Sequence, residues 1–288
     1  MSPTHNSAIL LVSCPDRKGV VASIADFIFR NNGNILSNDE HGDEESNLFL
    51  TRVQFDVTDF QFPLSEFDER FSSLARDFHM QWRLALSSDR PRIAIFVSKY
   101  DHCLQDLLYR HQSGELPCEI PLIISNHPDN QRIADFYKVP YLVFPVTKEN
   151  KREVEQKQLA LVRDHNCSLV VLARYMQVLS SEFIATVGTQ NLINIHHSFL
   201  PAFVGSKPYH QAFQRGVKLI GATAHYVTEV LDDGPIIEQN VVRINHRDTV
   251  DDLIQKGRDI EKVVLSRAVR WHVENRVLLY GNRTVVFQ

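Results

Sequence analysis

The sequence predicts an α/β protein of two domains, a small βαββαβ unit followed by a larger unit on a mostly parallel sheet. Three observations carry this expectation. The first 88 residues switch between alternating and helical apolar spacing in the order strand, helix, strand, strand, helix, strand. Beyond Pro91, short continuously apolar runs alternate with amphipathic stretches, as parallel strands covered by helices on both faces require. Between the two lies the polar stretch Ser87-Ser88-Asp89, which sets the domains at 1–88 and 89–288.

In the first domain, Ala8 to Ser13 is a short apolar strand. The turn Pro15-Asp16-Arg17-Lys18-Gly19 follows, and then Val20, Ile24, Phe27 and Ile28 recur at helical spacing until Gly33 offers a stop. Ile35 and Leu36 begin a strand, Asp43 to Glu45 form an acidic loop, and Phe49, Thr51, Val53, Phe55 and Val57 alternate, so a hairpin is implied. Leu64, Phe67, Phe71, Leu74 and Phe78 return to helical spacing before Trp82, Leu84 and Leu86 close the unit as a strand.

The second domain opens with the strand Ile93 to Val97 and a helix carrying Leu104, Leu107 and Leu108. Further strands are expected at Ile120 to Ser125, Tyr141 to Phe144, Ser168 to Leu172 and Leu192 to Ile195, with helices between most of them, which makes this half Rossmann-like. After Lys218 the runs Leu219 to Val227 and Pro235 to Ile244 have no long helix between them and predict an antiparallel edge. Thr249 with Asp252 forms a capping box for a long helix through Val263, Val264 and Trp271, and a hairpin turning at Gly281-Asn282 ends the chain.

Composition narrows the function classes. The longest apolar runs are too short to span a bilayer and the N-terminus lacks a basic-then-apolar signal pattern, so a soluble cytoplasmic protein without a membrane partner is expected. Cys14, Cys103, Cys118 and Cys167 show no Cys-x-x-Cys spacing, which suits free thiols in a reducing compartment. The first 88 residues carry 7 Lys+Arg against 13 Asp+Glu, and the remainder 24 against 22, a balance that speaks against a nucleic-acid partner.

The residues with chemistry lie in two places. Asn194-Ile195-His196 sits where a strand leaves the sheet, and alternation puts Asn194 and His196 on one side, at the carboxyl end where open α/β sheets bind ligands. Seven residues after His225 stands Asp232, followed by Asp233-Gly234-Pro235 at the mouth of the next strand. A carboxylate, an imidazole and an amide together make an acid-base and oxyanion set.

The order and spacing of these signals, Asn-x-His, Leu200-Pro201, Gly205, His-x-Val at His225 and then Asp232 with Gly234, resemble the folate-dependent formyltransferase superfamily over about residues 91 to 288. The resemblance implies that Asn194 holds the formyl oxygen of 10-formyltetrahydrofolate, that His196 stabilises the oxyanion or relays a proton, and that Asp232 tunes His196 and orients the attacking species. It further implies folate contacts at Arg174, Tyr175, Met176, Val178, Leu179, His225 and Val230, with backbone groups of Arg174 and Val178 reading the pteridine edge. The folate is the substrate, and neither a cofactor nor a metal is expected; a zinc site at His196, His197 and His225 is disfavoured because neighbouring strand side chains point to opposite faces.

Residues 6 to 88 resemble the ACT domain, a small-ligand regulatory module. This implies an effector site at Asp16, Arg17, Lys18, Gly19 and Asn34, with glycine and methionine as the effectors to consider. It also implies edge-to-edge pairing into a homo-oligomer, a tetramer by expectation. An ACT module ahead of the formyltransferase-like domain, together with His196-His197-Ser198-Phe199, resembles the deformylating branch of the superfamily. That branch would hydrolyse the folate to formate and tetrahydrofolate, supplying formate for purine biosynthesis and balancing one-carbon pools. His197 is then a candidate for positioning the water.

The alternative acceptor is glycinamide ribonucleotide, whose enzyme holds the substrate phosphate on a Gly-Ser-Asn loop. Here the matching stretch is Val97-Ser98-Lys99-Tyr100-Asp101-His102, without the glycine, although Lys99 keeps the reading open. A tRNA acceptor would call for a basic surface and a further domain. A sensor that binds folate without turnover would not need Asn194, His196 and Asp232 together.

Overall fold

The computed structural model describes residues 6–201 and 208–288. The chain begins β1 (Ser7–Pro15), α1 (Val20–Arg30), β2 (Asn34–Asp43), β3 (Leu48–Asp56), α2 (Phe67–Asp77), β4 (Gln81–Leu86), the expected βαββαβ order. The sheet runs β2-β3-β1-β4 with antiparallel ladders throughout, a ferredoxin-like arrangement. Alternation decides what each face meets: Leu10, Val12, Phe49, Val53 and Phe55 pack against Ile24 and Ile28 of α1 and Phe67 and Phe71 of α2.

The end of α1 differs from the sequence expectation in its mechanism. Asn32, at φ 62, takes the left-handed position that was expected of Gly33. Gly33 serves close approach instead, because a Cβ there would stand 2.8 Å from Ile28 Cγ2 and 3.0 Å from the Phe60 ring.

The second unit continues β5 (Arg92–Val97), α3 (His102–Gln112), β6 (Glu119–Ser125), α4 (Gln131–Tyr137), β7 (Tyr141–Val143), α5 (Lys151–Asp164), β8 (Leu169–Leu172), α6 (Ser181–Val187) and β9 (Leu192–His196). It ends with α7 (Pro208–Arg215), β10 (Leu219–Tyr226), β11 (Ile236–Arg243) and α8 (Val250–Val273). Its sheet has the order β11-β10-β9-β8-β5-β6-β7. The strands β5 to β9 are parallel, and β10 pairs antiparallel with β9 and β11, as the missing helix after Lys218 predicts. Fully buried Ala94, Phe96, Leu122, Ile124 and Val170 explain the continuously apolar strands. The capping box forms reciprocally: Thr249 N–H donates to Asp252 Oδ2 at 2.8 Å and Asp252 N–H to Thr249 Oγ1 at 3.2 Å.

The chain closes with β12 (Val277–Tyr280) and β13 (Arg283–Val286), paired as a two-stranded sheet. Two compact units result: residues up to Asp89 group with Glu274–Tyr280 and Val285–Gln288, and Arg90–Val273 groups with Gly281–Thr284. The terminal hairpin is shared between the two groups. Its apolar side chains explain the grouping, since Leu278, Val285 and Phe287 cover Ile9, Leu11 and Leu50 on the far face of the N-terminal sheet. All four cysteines are free thiols, three of them buried. Among the described residues no helix is long and apolar enough to cross a membrane.

Candidate active site

The order of the parallel sheet reverses between β5 and β8, and β9 is the next strand beyond β8, so its carboxyl end lies on the edge where an open α/β sheet leaves room for a ligand. Asn194 and His196 leave β9 on the same side. The antiparallel register with β10 sets His225 opposite Asn194 and Thr223 opposite His196. Asp232 arrives from the turn after β10. Its Oδ2 lies 3.2 Å from His196 Nδ1 and its Oδ1 lies 3.8 Å from His225 Nε2.

Hydrogen bonding determines which proton sits where. The Tyr226 carbonyl can only accept, so His225 Nδ1, 2.8 Å away, carries the proton. His225 Nε2 is then a lone pair and accepts from Asn194 Nδ2 at 3.2 Å, which orients the Asn194 amide and leaves its second N–H for another acceptor. Burial pushes the His225 pKa down, opposed only in part by the Tyr226 bond and the Asp232 charge, so the ring is neutral at neutral pH. Burial favours the protonated form of Asp232, yet the hydrogen bond from His196 and the surrounding imidazoles outweigh it and hold this carboxyl below its ordinary value. Asp232 is therefore an ionised base beside His196. It adopts φ 57, a left-handed conformation that Asp tolerates better than most side chains.

Asn194, His225 and Asp232 line a cleft at this edge of the sheet, with His196 held against it through Asp232. Leu172, Leu179, Ile184 and Val227 supply apolar walls, and Gln177, Val178, Glu229 and Leu231 line the rest. Of the folate contacts expected from sequence, Val178, Leu179 and His225 line this cleft. Tyr175 turns into the core, where its hydroxyl accepts from Gln158 Nε2 at 2.9 Å and its ring meets Phe96 edge-on. Met176 and Val230 are exposed, and the Arg174 side chain is buried away toward α8. Arg174 and Met176 both have positive φ, at 64 and 61, so the segment after β8 holds a strained backbone next to the cleft. Gly205 lies outside the described residues.

Behind His196 stands a second polar group that sequence reasoning missed. Glu261 of α8 is 1% exposed, and its carboxylate meets His102 Nε2 at 2.8 Å, the Tyr209 hydroxyl donor at 2.6 Å and Arg174 Nη1 at 3.4 Å. Against the effect of burial, these partners hold the Glu261 pKa below its ordinary value. The signal was available, because Glu261 falls on the apolar stripe of α8 between Ile260 and Val264. His102, Cys103 and Glu261 offer ligand atoms within 4.8 Å of one another. They suit an ion-pair network better than a metal, since Arg174 already balances Glu261 and burial keeps Cys103 a thiol. The His197 ring lies 5.4 Å from that of His196 and 6.0 Å from that of Tyr209.

In the N-terminal unit, Asp16, Arg17, Lys18 and Gly19 form an exposed turn and Asn34 is exposed at the start of β2. Arg17 is committed to that unit, with its guanidinium 4.2 Å over the Phe78 ring and a hydrogen bond to the Asp77 carbonyl. Gly19, at φ 95, is the residue before α1.

The formyl transferase family model matches residues 91–269. A formyltetrahydrofolate deformylase from a Synechocystis strain is 56% identical over 281 residues, 98% of each chain. The crystal structure of a formyltetrahydrofolate deformylase from Pseudomonas syringae pv. tomato superposes with a TM-score of 0.97 at 45% identity, covering 100% of this chain and 96% of that one. This chain belongs to the formyltetrahydrofolate deformylase family. A glycinamide ribonucleotide transformylase from Symbiobacterium toebii is also similar, with a TM-score of 0.66 at 29% identity, but it covers 69% of this chain. The deformylases of the family thus match over both units, and the transformylase does not.

A pH effect on stability follows from the site. Burial, with Arg174 next, pushes His197 down to about 4 from an ordinary 6.5, and burial lowers His225 in the same direction. Between the folded and unfolded values the unfolded chain binds more protons, so stability falls as pH drops through that window. The depressed Asp232 and Glu261 act in the same sense at still lower pH, as each loses its stabilising charge. Urea denaturation at pH 7.5 and 5.0 should show a lower midpoint at pH 5.0, and His197→Phe should flatten the difference. An equal midpoint at both values would mean that the two imidazoles are not buried neutral.

Proposed function

We propose that this protein hydrolyses 10-formyltetrahydrofolate to formate and tetrahydrofolate. The observation that carries the reading is the meeting of an amide, an imidazole and an ionised carboxylate beside an apolar-walled cleft. The full-length deformylase relatives support it over transfer to glycinamide ribonucleotide.

In the proposed mechanism the pteridine occupies the cleft between the 174–179 segment and the loop from His225 to Asp232. Backbone groups of Arg174 and Val178 read its edge, Leu179 packs on it, and Met176 and Val230 border the mouth. The second N–H of Asn194, oriented by His225, and the His196 ring hold the formyl oxygen. Asp232 orients a water and helps take its proton, and His197 assists in holding that water. The water oxygen bonds to the formyl carbon, giving a tetrahedral intermediate whose oxyanion rests on Asn194 and His196. The bond from that carbon to N10 then breaks, N10 takes up a proton relayed through Asp232 and His196, and formate leaves. No step calls for a cofactor or a metal.

Purified protein should release formate from 10-formyltetrahydrofolate at the same rate with and without glycinamide ribonucleotide. Formylation of the ribonucleotide, with the folate untouched in its absence, would make it a transformylase instead.

The N-terminal unit is proposed as an ACT regulator that pairs this chain into a homo-oligomer, a tetramer in the cytoplasm, and tunes formate supply for purine biosynthesis and one-carbon balance. Glycine or methionine would bind by Asp16, Arg17, Lys18, Gly19 and Asn34, and either should give heat on titration and change the rate of formate release. Calorimetry silent for both, with an unchanged rate, removes this part of the proposal.

A further inference from the structure

The mechanism makes no use of the buried network around Glu261. Removing charged groups from water is costly, and a buried ion-pair network is by itself weak grounds for stability. Its members cap both oxygens of one carboxylate: His102 and Arg174 meet Oε2 and Tyr209 meets Oε1. They come from four places along the chain, the start of α3, the residues after β8, α7 and α8, and they meet at the carboxyl ends of β5 and β8. That edge of an open α/β sheet is where ligand space is expected. The folate cleft takes the share beside β9 and β10, and the network fills the share beside β5. Its contact with the reaction centre runs from Tyr209 through the His197 ring to His196.

Two further features bear on its purpose. Among the described residues, His102 Nδ1, Arg174 Nε and His196 Nε2 are buried polar atoms with no hydrogen-bond partner, so this region is polar rather than apolar. Tyr100, two residues before His102, has the Arg174 guanidinium 5.0 Å and the Arg258 guanidinium 5.4 Å from its ring, so the approach to α3 is occupied by the chain's own groups. A free buried carboxylate beside a formyl carbon would attract an amine and help to deprotonate it. Here the carboxylate is already neutralised and the volume next to it is filled by Tyr209 and Arg174, both at 7% exposure.

We infer that the Arg174, Glu261, His102 and Tyr209 network determines the nucleophile: it occupies the space beside His196 that an amine acceptor would need and leaves water as the attacking group. The inference rests on the hydrolase reading and makes these side chains specificity determinants, not catalytic residues. Opening the network should let a small amine compete. With hydroxylamine as the probe, its nitrogen bonds to the formyl carbon, the bond to N10 breaks, and N10 gains the proton that the nitrogen loses, giving formohydroxamate and tetrahydrofolate.

The experiment measures the ratio of formohydroxamate to formate against hydroxylamine concentration, with the enzyme-free reaction subtracted. The wild-type protein should give formate alone. Tyr209→Ala opens space while Glu261 keeps two partners, and it should raise the ratio about tenfold or more. Arg174→Gly with Glu261→Gln removes both charges together and suits φ 64 at position 174, and it should act in the same direction. The volume-keeping Tyr209→Phe should stay with formate. General damage to the fold lowers both products and leaves their ratio unchanged, so the ratio separates specificity from stability. Wild-type protein that already makes formohydroxamate in proportion to hydroxylamine overturns the inference, whatever the variants do. So does a folded, formate-releasing Tyr209→Ala or double variant whose ratio equals that of the wild type. Wild-type protein that releases no formate refutes the hydrolase reading itself.

Discussion

Asp232→Asn should lower the rate of formate release by about 10²- to 10⁴-fold, the range lost when a positioned acid-base group is removed. The substitution is close to isosteric, and Asn tolerates the left-handed φ of 57 as well as Asp does, so the turn should keep its shape. What is lost is the ionised oxygen 3.2 Å from His196 Nδ1, and with it the proposed base for the attacking water. The apolar walls of the cleft are untouched, so tetrahydrofolate should bind within about threefold of wild type, a difference of about 0.7 kcal/mol at most. Turnover by a formate assay and affinity by fluorescence titration check the two halves separately. Near-wild-type turnover would show that Asp232 is not the base.

Gly234→Ala should cost about 10²-fold in turnover, the scale expected when reacting groups shift by about 1 Å. A Cβ at this position would stand 1.8 Å from the Tyr226 carbonyl oxygen and 2.9 Å from its carbon, and both atoms are backbone. Tyr226 cannot simply retreat. Its N–H donates to the Pro235 carbonyl at 2.9 Å, and its own carbonyl accepts from His225 Nδ1. Relief must come from the turn, which carries Asp232 two residues away, or from loss of the His225 bond that orients Asn194. Overpacking of this kind also destabilises by about 1–3 kcal/mol. Kinetics and urea denaturation measure both effects, and a variant with wild-type kcat would show that the turn can relax without moving Asp232.

Much of this architecture was legible without coordinates. The switch from period 2 to period 3.6 marked each element of the first unit, and the missing helix after Lys218 announced the antiparallel edge formed by β10 and β11. The capping box at Thr249 and Asp252 formed as written, because such a motif spans one helical turn and needs no distant partner. Asn194, His196 and Asp232 stood out by order and spacing. The end of α1 shows the limit: a glycine after a helix reads as its left-handed stop, but Asn32 took that position and the crowding of Ile28 and Phe60 required Gly33.

By itself, then, the sequence determined which elements form, in what order, and which residue types stand at the strand ends, since periodicity and capping act over a few neighbouring residues. Only the tertiary structure decided that His225 is neutral and orients Asn194, that Asp232 is ionised, that Tyr175 faces the core, and that Glu261 lies buried beneath three partners. Each of those depends on strand register or helix packing between residues far apart along the chain, and on the removal of water that such packing brings.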